Sequence, residues 1–113
     1  AIGNPFDIFE LRHAEAKLEL LEGRPLEARK LVKTLIADPA LRSAVATNGR
    51  AEELLADIEL DLGEKDLARA AFIRAAGLYG IQEQFRQASL CWQRAVDLET
   101  LRVHNMDTVA EVS

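Results

Sequence analysis

Cysteine is nearly missing from this sequence: Cys91 is the only one in 113 residues. One thiol cannot close an internal disulfide, so packing alone must hold the fold, which points to a reducing compartment and a cytoplasmic location. Basic residues are outnumbered, with 14 Lys and Arg against 19 Asp and Glu and a formal charge of -5. That field repels phosphate backbones and anionic lipid surfaces, so no nucleic-acid partner is expected. No apolar run approaches the roughly 20 residues of a membrane helix, and the first residues lack the charged and apolar regions of a signal peptide, so no direct membrane insertion is expected. Aromatic residues make up only 5% of the chain, and β-branched residues are few, which removes the usual material of strands.

What remains is rich in Ala, Leu, Glu and Arg and is 49% hydrophobic, enough for one small all-α domain with a real core. Asn4 and Pro5 read as an N-cap followed by proline at the first helical position, so a first helix is expected from Pro5 to about Glu22. Its apolar residues Ile8, Leu11, Ala14, Leu18 and Leu21 step by three and four, which predicts one buried face. Gly23 ends it and Pro25 restarts the chain, with Leu26, Ala28, Leu31, Val32, Leu35 and Ile36 as the buried stripe of an antiparallel second helix. Asp38 and Pro39 repeat the cap-plus-proline signal and predict the start of a third helix, in which Asn48 and Gly49 either break the helix or are tolerated at a cost. A fourth helix is expected over about Lys65 to Tyr79, with Gly77 and Gly80 serving its end, and a fifth over about Gln82 to Thr100.

The chain repeats itself. Gly23 and Gly63 lie forty residues apart, and at that offset Ala16 matches Ala56, Leu18 matches Ile58, Ala28 matches Ala68 and Val32 matches Phe72. The caps Asn4 and Asp38 are thirty-four apart, so about six extra residues are expected between Asp38 and Gly63, around "VATNGR". With Phe72, Ala75 and Ala76, Tyr79, Ala88, Trp92 and Ala95 at their spacing, the chain resembles the tetratricopeptide repeat family, whose unit is a helix, a turn and a helix of about 34 residues. Alanines of that pattern let helices approach closely, while the aromatics fill the gaps beside them. The first hairpin departs from the pattern, placing Arg12 and Glu19 at the aromatic and tyrosine positions, and Pro39 falls one residue before the family's proline.

The resemblance implies antiparallel hairpins stacked as a short right-handed array of about five helices. Residues 1–104 would form the helical domain, with hairpins at about 5–37 and 39–79 and a further helix at about 82–100. Residues 105–113 would be a tail or the truncated start of another helix, with Asn105 and Asp107 as cap candidates. The fifth helix would act as a polar seal at one end, while Phe6, Ile8 and Phe9 leave the first helix with an apolar edge for a partner, a second copy or flanking sequence.

Reactive chemistry is sparse. Cys91 beside Trp92 reads as a buried small hydrophobe rather than a thiolate, His13 near Glu10 and Lys17 as a partly exposed member of a charged face, and His104 as solvent-exposed. No metal or phosphate motif occurs, so neither a cofactor nor a metal nor catalysis is expected. The acidic run "RAEELLADIELDLGEKD" reads as a solvated charged face. The resemblance implies a concave groove lined by the first helix of each hairpin: Glu10, His13 and Lys17, then Arg50, Glu53 and Asp57, then Gln93 and Asp97 from the fifth helix. The implied function is a non-catalytic scaffold or adaptor domain of a larger protein, binding another protein as a peptide or helix. The alternatives are an oligomerisation domain forming a homodimer through its apolar terminal helices, the helical sensor segment of a transcription regulator, and a small-molecule pocket under Tyr79, Phe85 and Trp92.

Overall fold

The computed structural model describes the backbone of residues 5–39 and 45–112 and the side chains of residues 7–39 and 47–99. The described residues form five α-helices and no strand: α1 (Pro5–Leu21), α2 (Pro25–Ala37), α3 (Val45–Asp61), α4 (Lys65–Ile81) and α5 (Phe85–Val112). Each helix packs on the next in chain order, and α1 also touches α3. The packing thus runs chiefly between sequence neighbours.

Three turns of one design connect the helices. After α1, the Gly23 N–H donates to the Leu20 carbonyl at 3.1 Å and the Arg24 N–H to the Glu19 carbonyl at 2.8 Å. The same pair of bonds recurs after α3, from Gly63 to Leu60 at 3.0 Å and from Glu64 to Glu59 at 2.8 Å, and after α4, from Glu83 to Gly80 at 3.0 Å and from Gln84 to Tyr79 at 2.9 Å. This is the Schellman closure, which satisfies the last carbonyls of a helix by turning one residue left-handed. Gly23 and Gly63 take that position at φ +79° and +78°, but the third turn uses Glu83 at φ +59°. Gly77 and Gly80 therefore do not cap α4. Both lie inside it, and the helix runs on to Ile81.

The third helix is described from Val45, and residues 40–44, where the expected start after Pro39 would fall, lie outside the described residues. Asp38 closes α2 in an extended conformation, φ −69° and ψ 117°, as the residue before a proline prefers. Asn4 and the connection with Leu41 and Ala44 lie outside the described residues. Asn48 and Gly49 do not interrupt α3, which passes straight through "VATNGR". Gly49 is buried there because the Tyr79 ring packs on it: a Cβ at this position would stand 3.3 Å from two ring carbons. At the other end, α5 continues as one helix past Thr100 to Val112, with no separate helix beginning near Asn105 or Asp107.

The core follows the small residues. Ala28, Ala68, Ala71, Ala75 and Ala76 are buried at the hairpin contacts, with Phe9, Val32, Ile58 and Phe72 as the large side chains between them. The face expected to be buried on α1 is the reverse of the one observed. Ile8, Leu11, Ala14, Leu18 and Leu21 are exposed, and Phe9 and Ala16 face the hairpin instead. An end helix with apolar residues on two faces gives no periodicity signal to distinguish them. On α2, Ala28, Val32 and Leu35 are buried, Leu31 and Ile36 partly so, and Leu26 is exposed.

The acidic run is divided: Asp61, Glu64 and Asp66 are exposed at its end, whereas Glu52 and Glu59 are structural. Glu52 and Glu59 are buried on α3, where Arg74 of α4 donates to Glu52 at 2.9 Å and Arg29 of α2 to Glu59 at 3.0 Å. These charge-assisted bonds tie the central helix to both second helices of the row. A repeat is visible in them: Arg29 with Glu59 has its counterpart forty residues later in Arg69 with Glu99, 3.3 Å apart.

Candidate functional site

A concave pocket of about 390 Å³ opens where α1, α3, the end of α4 and the start of α5 converge. His13 and Lys17 come from α1, Arg50, Glu53, Leu54 and Asp57 from α3, Tyr79 from α4, and Gln84 and Gln87 from the turn and α5. Helical spacing explains the convergence, since 13 and 17, and 50, 53 and 57, are one turn apart on their helices. Ala16 on α1 and Ala56 on α3 are fully buried.

The floor is a set of hydrogen bonds centred on Glu53. Its carboxylate accepts from the Tyr79 hydroxyl at 2.8 Å and from the Cys91 thiol at 3.6 Å. Burial, reinforced by the Glu53 charge, pushes the Cys91 thiol up to about 12, and burial with the Glu53 hydrogen bond raises Tyr79 above its ordinary range. Cys91 is thus a protonated donor at neutral pH rather than a nucleophilic thiolate.

The walls carry paired charges. Arg50 donates to Glu10 at the rim and its guanidinium lies 5.3 Å from the Phe9 ring centroid; the hydrogen bond lowers the Glu10 carboxyl and raises Arg50. Arg94 of α5 reaches across to Asp57 at 2.9 Å while its guanidinium covers the Phe72 ring at 4.3 Å. Burial raises Asp57 from its ordinary value, and Arg94 opposes that shift. His13 stacks tilted on Phe9, ring centroids 5.4 Å apart, and burial followed by the Arg50 charge holds its imidazole below the ordinary range, so it stays neutral at pH 7. Lys17 is exposed at the mouth.

Of the eight groove positions expected, the structure gathers His13, Lys17, Arg50, Glu53 and Asp57 in the pocket and Glu10 at its rim. Gln93 and Asp97 are elsewhere, exposed on α5 and hydrogen-bonded to each other at 2.9 Å. The residues α5 turns toward the pocket and α3, Gln87, Cys91 and Arg94, correspond forty positions on to Thr47, Ala51 and Leu54, so Gln93 and Asp97, the counterparts of Glu53 and Asp57, stand exposed on its next face. Gln84, Gln87, Cys91 and Arg94 take the places projected for Gln93 and Asp97. Their spacing of three and four was a sufficient signal, had the face of α5 that meets α3 been projected rather than the next one.

Tyr79 lines this pocket, whereas Phe85 and Trp92 stand 67% and 50% exposed on the flank of α5 away from Gln87 and Arg94. Among the described residues, no group of three or more His, Cys, Asp and Glu is arranged to hold a metal ion, and no helix is long and apolar enough to cross a membrane. Comparisons with family models, curated proteins and solved structures give no match to this chain.

Proposed function

We propose that this chain is a tetratricopeptide-like, non-catalytic interaction module, part of a scaffold or adaptor, that takes a peptide segment or helix of another protein into the concave pocket. The observation that carries the reading is the convergence of six side chains of mixed charge from α1 and α3 with Tyr79, Gln84 and Gln87 around one open space. Such a lining offers donors and acceptors of both kinds to a peptide backbone. Gln84 and Gln87 supply side-chain amides, Asp57 a partly desolvated carboxylate, and Lys17 an exposed cation for an acidic side chain. Support for the family resemblance comes from the buried small residues Ala68, Ala75, Ala76 and Ala88 beside Phe72 and Tyr79. The forty-residue spacing exceeds the family's usual unit, and α1, α3 and α4 are each 17 residues long.

Panning a displayed library of random peptides against the chain tests this. Enriched peptides should bind with an affinity that Lys17→Glu or Gln87→Ala weakens about tenfold, the scale of one well-made polar contact, without loss of helicity. Absence of enrichment over an unrelated helical protein, or affinities indifferent to both substitutions, overturns the proposal.

A further inference from the structure

The C-terminal side of the row is not sealed by a polar helix. On α5, Phe85, Ser89, Trp92 and Val96 fall at i, i+4, i+7 and i+11, a single stripe of a helix, and all four are exposed, with Val96 at 53%. The ion pairs Arg29 with Glu59 and Arg69 with Glu99 set α5 forty residues behind α3. In that register Ser89, Trp92 and Val96 correspond to Gly49, Glu52 and Ala56. Those three α3 residues are buried, and two of them meet α4: Gly49 lies under Tyr79 and Glu52 is bonded to Arg74. The stripe on α5 is therefore the continuation of an interface that α3 has already filled with an antiparallel helix.

We infer that a second copy of this chain fills it, its α5 lying antiparallel on the first about a two-fold axis near Trp92. A two-fold related α5 offers the stripe to itself, so residue 89 meets residue 96 of the other copy and Trp92 meets its equivalent. Charge agrees with this pairing. Arg86 and Asp97 are both exposed beside the stripe, and the antiparallel register sets Arg86 of each copy against Asp97 of the other. Among the described residues α1 also exposes Leu11, Leu18 and Leu21, but there the neighbouring Glu15 and Glu22 are already paired with Arg12 and Arg24 of the same chain.

This interface is separate from the concave pocket and stands or falls without the peptide reading. Sedimentation over a concentration series should show a dimer, with the emission of Trp92, the sole tryptophan, moving to the blue as dimer forms. Trp92→Glu should leave a folded monomer by circular dichroism. Arg86→Glu should weaken the dimer about tenfold, since two like-charged contacts are created, and Arg86→Glu with Asp97→Arg should restore it to within about threefold. A monomer at every concentration overturns the inference. So does a dimer that survives Trp92→Glu but is lost in Leu18→Glu, or one that the charge exchange fails to restore.

Discussion

Gly49 shows how one residue can carry opposite meanings in sequence and structure. Beside Asn48 it signals a turn, yet in the fold it is a helical residue that makes room for the Tyr79 ring. Gly77 is its control, since it also lies within a helix but has nothing within 4 Å of where a Cβ would be. Gly77→Ala should therefore raise stability by about 0.5–1 kcal/mol, the ordinary gain from removing glycine from a helix. Gly49→Leu should lower it by about 2 kcal/mol, because the larger side chain displaces Tyr79 from its 2.8 Å bond to Glu53 and overpacks the α3–α4 contact. Urea unfolding of both variants measures this, and a gain at both positions would remove the packing role assigned to Gly49.

At the level of elements, the turns repeat in geometry while their sequences do not. Gly23 and Gly63 announce themselves, and the expected ends of α1 and α3 follow from them. The third turn is hidden because Glu83 adopts the left-handed conformation without glycine, and Gly80, three residues earlier, attracts the prediction instead. Left-handed backbone costs a side-chain-bearing residue roughly 1–2 kcal/mol, offset in part by the smaller entropy that a non-glycine residue loses on folding. Glu83→Gly is thus expected to stabilise the chain by about 0.5 kcal/mol, and Gly63→Ala to destabilise it by about 1 kcal/mol. Thermal melts monitored at 222 nm are sufficient to compare the signs. A loss in Glu83→Gly would mean that the Glu83 side chain contributes more than its backbone costs.

Across the whole molecule, the all-helical architecture was legible because composition, helical periodicity and the two glycine turns agree. The two helix faces of α1 were not, because periodicity marks an apolar stripe without saying which neighbour it meets. The pocket-lining positions were legible on α1 and α3, where helices of equal length follow one another at an offset of forty, and not on α5, whose Gln87, Cys91 and Arg94 meet the pocket and α3 while Gln93 and Asp97 stand exposed. The offset itself is written most clearly in charges rather than in alanines, through Arg29 with Glu59 and Arg69 with Glu99. These equivalent pairs differ in burial, which makes them a direct probe of how the row is held. Glu59 is 4% exposed at its side chain and Glu99 is 43% exposed. Arg29→Ala strands a buried carboxylate, and after allowance for the partial exposure of Arg29 it should cost about 2 kcal/mol. Arg69→Ala leaves Glu99 free to hydrate and should cost less than about 1 kcal/mol. Adding Glu59→Gln to Arg29→Ala should recover part of the loss, since a neutral amide is less costly to bury than an unpaired charge. Denaturant titrations of the single and double variants provide the comparison. Equal losses at the two pairs would show that α2 and α3 are held together by packing alone, with the ion pair serving only to mark the register.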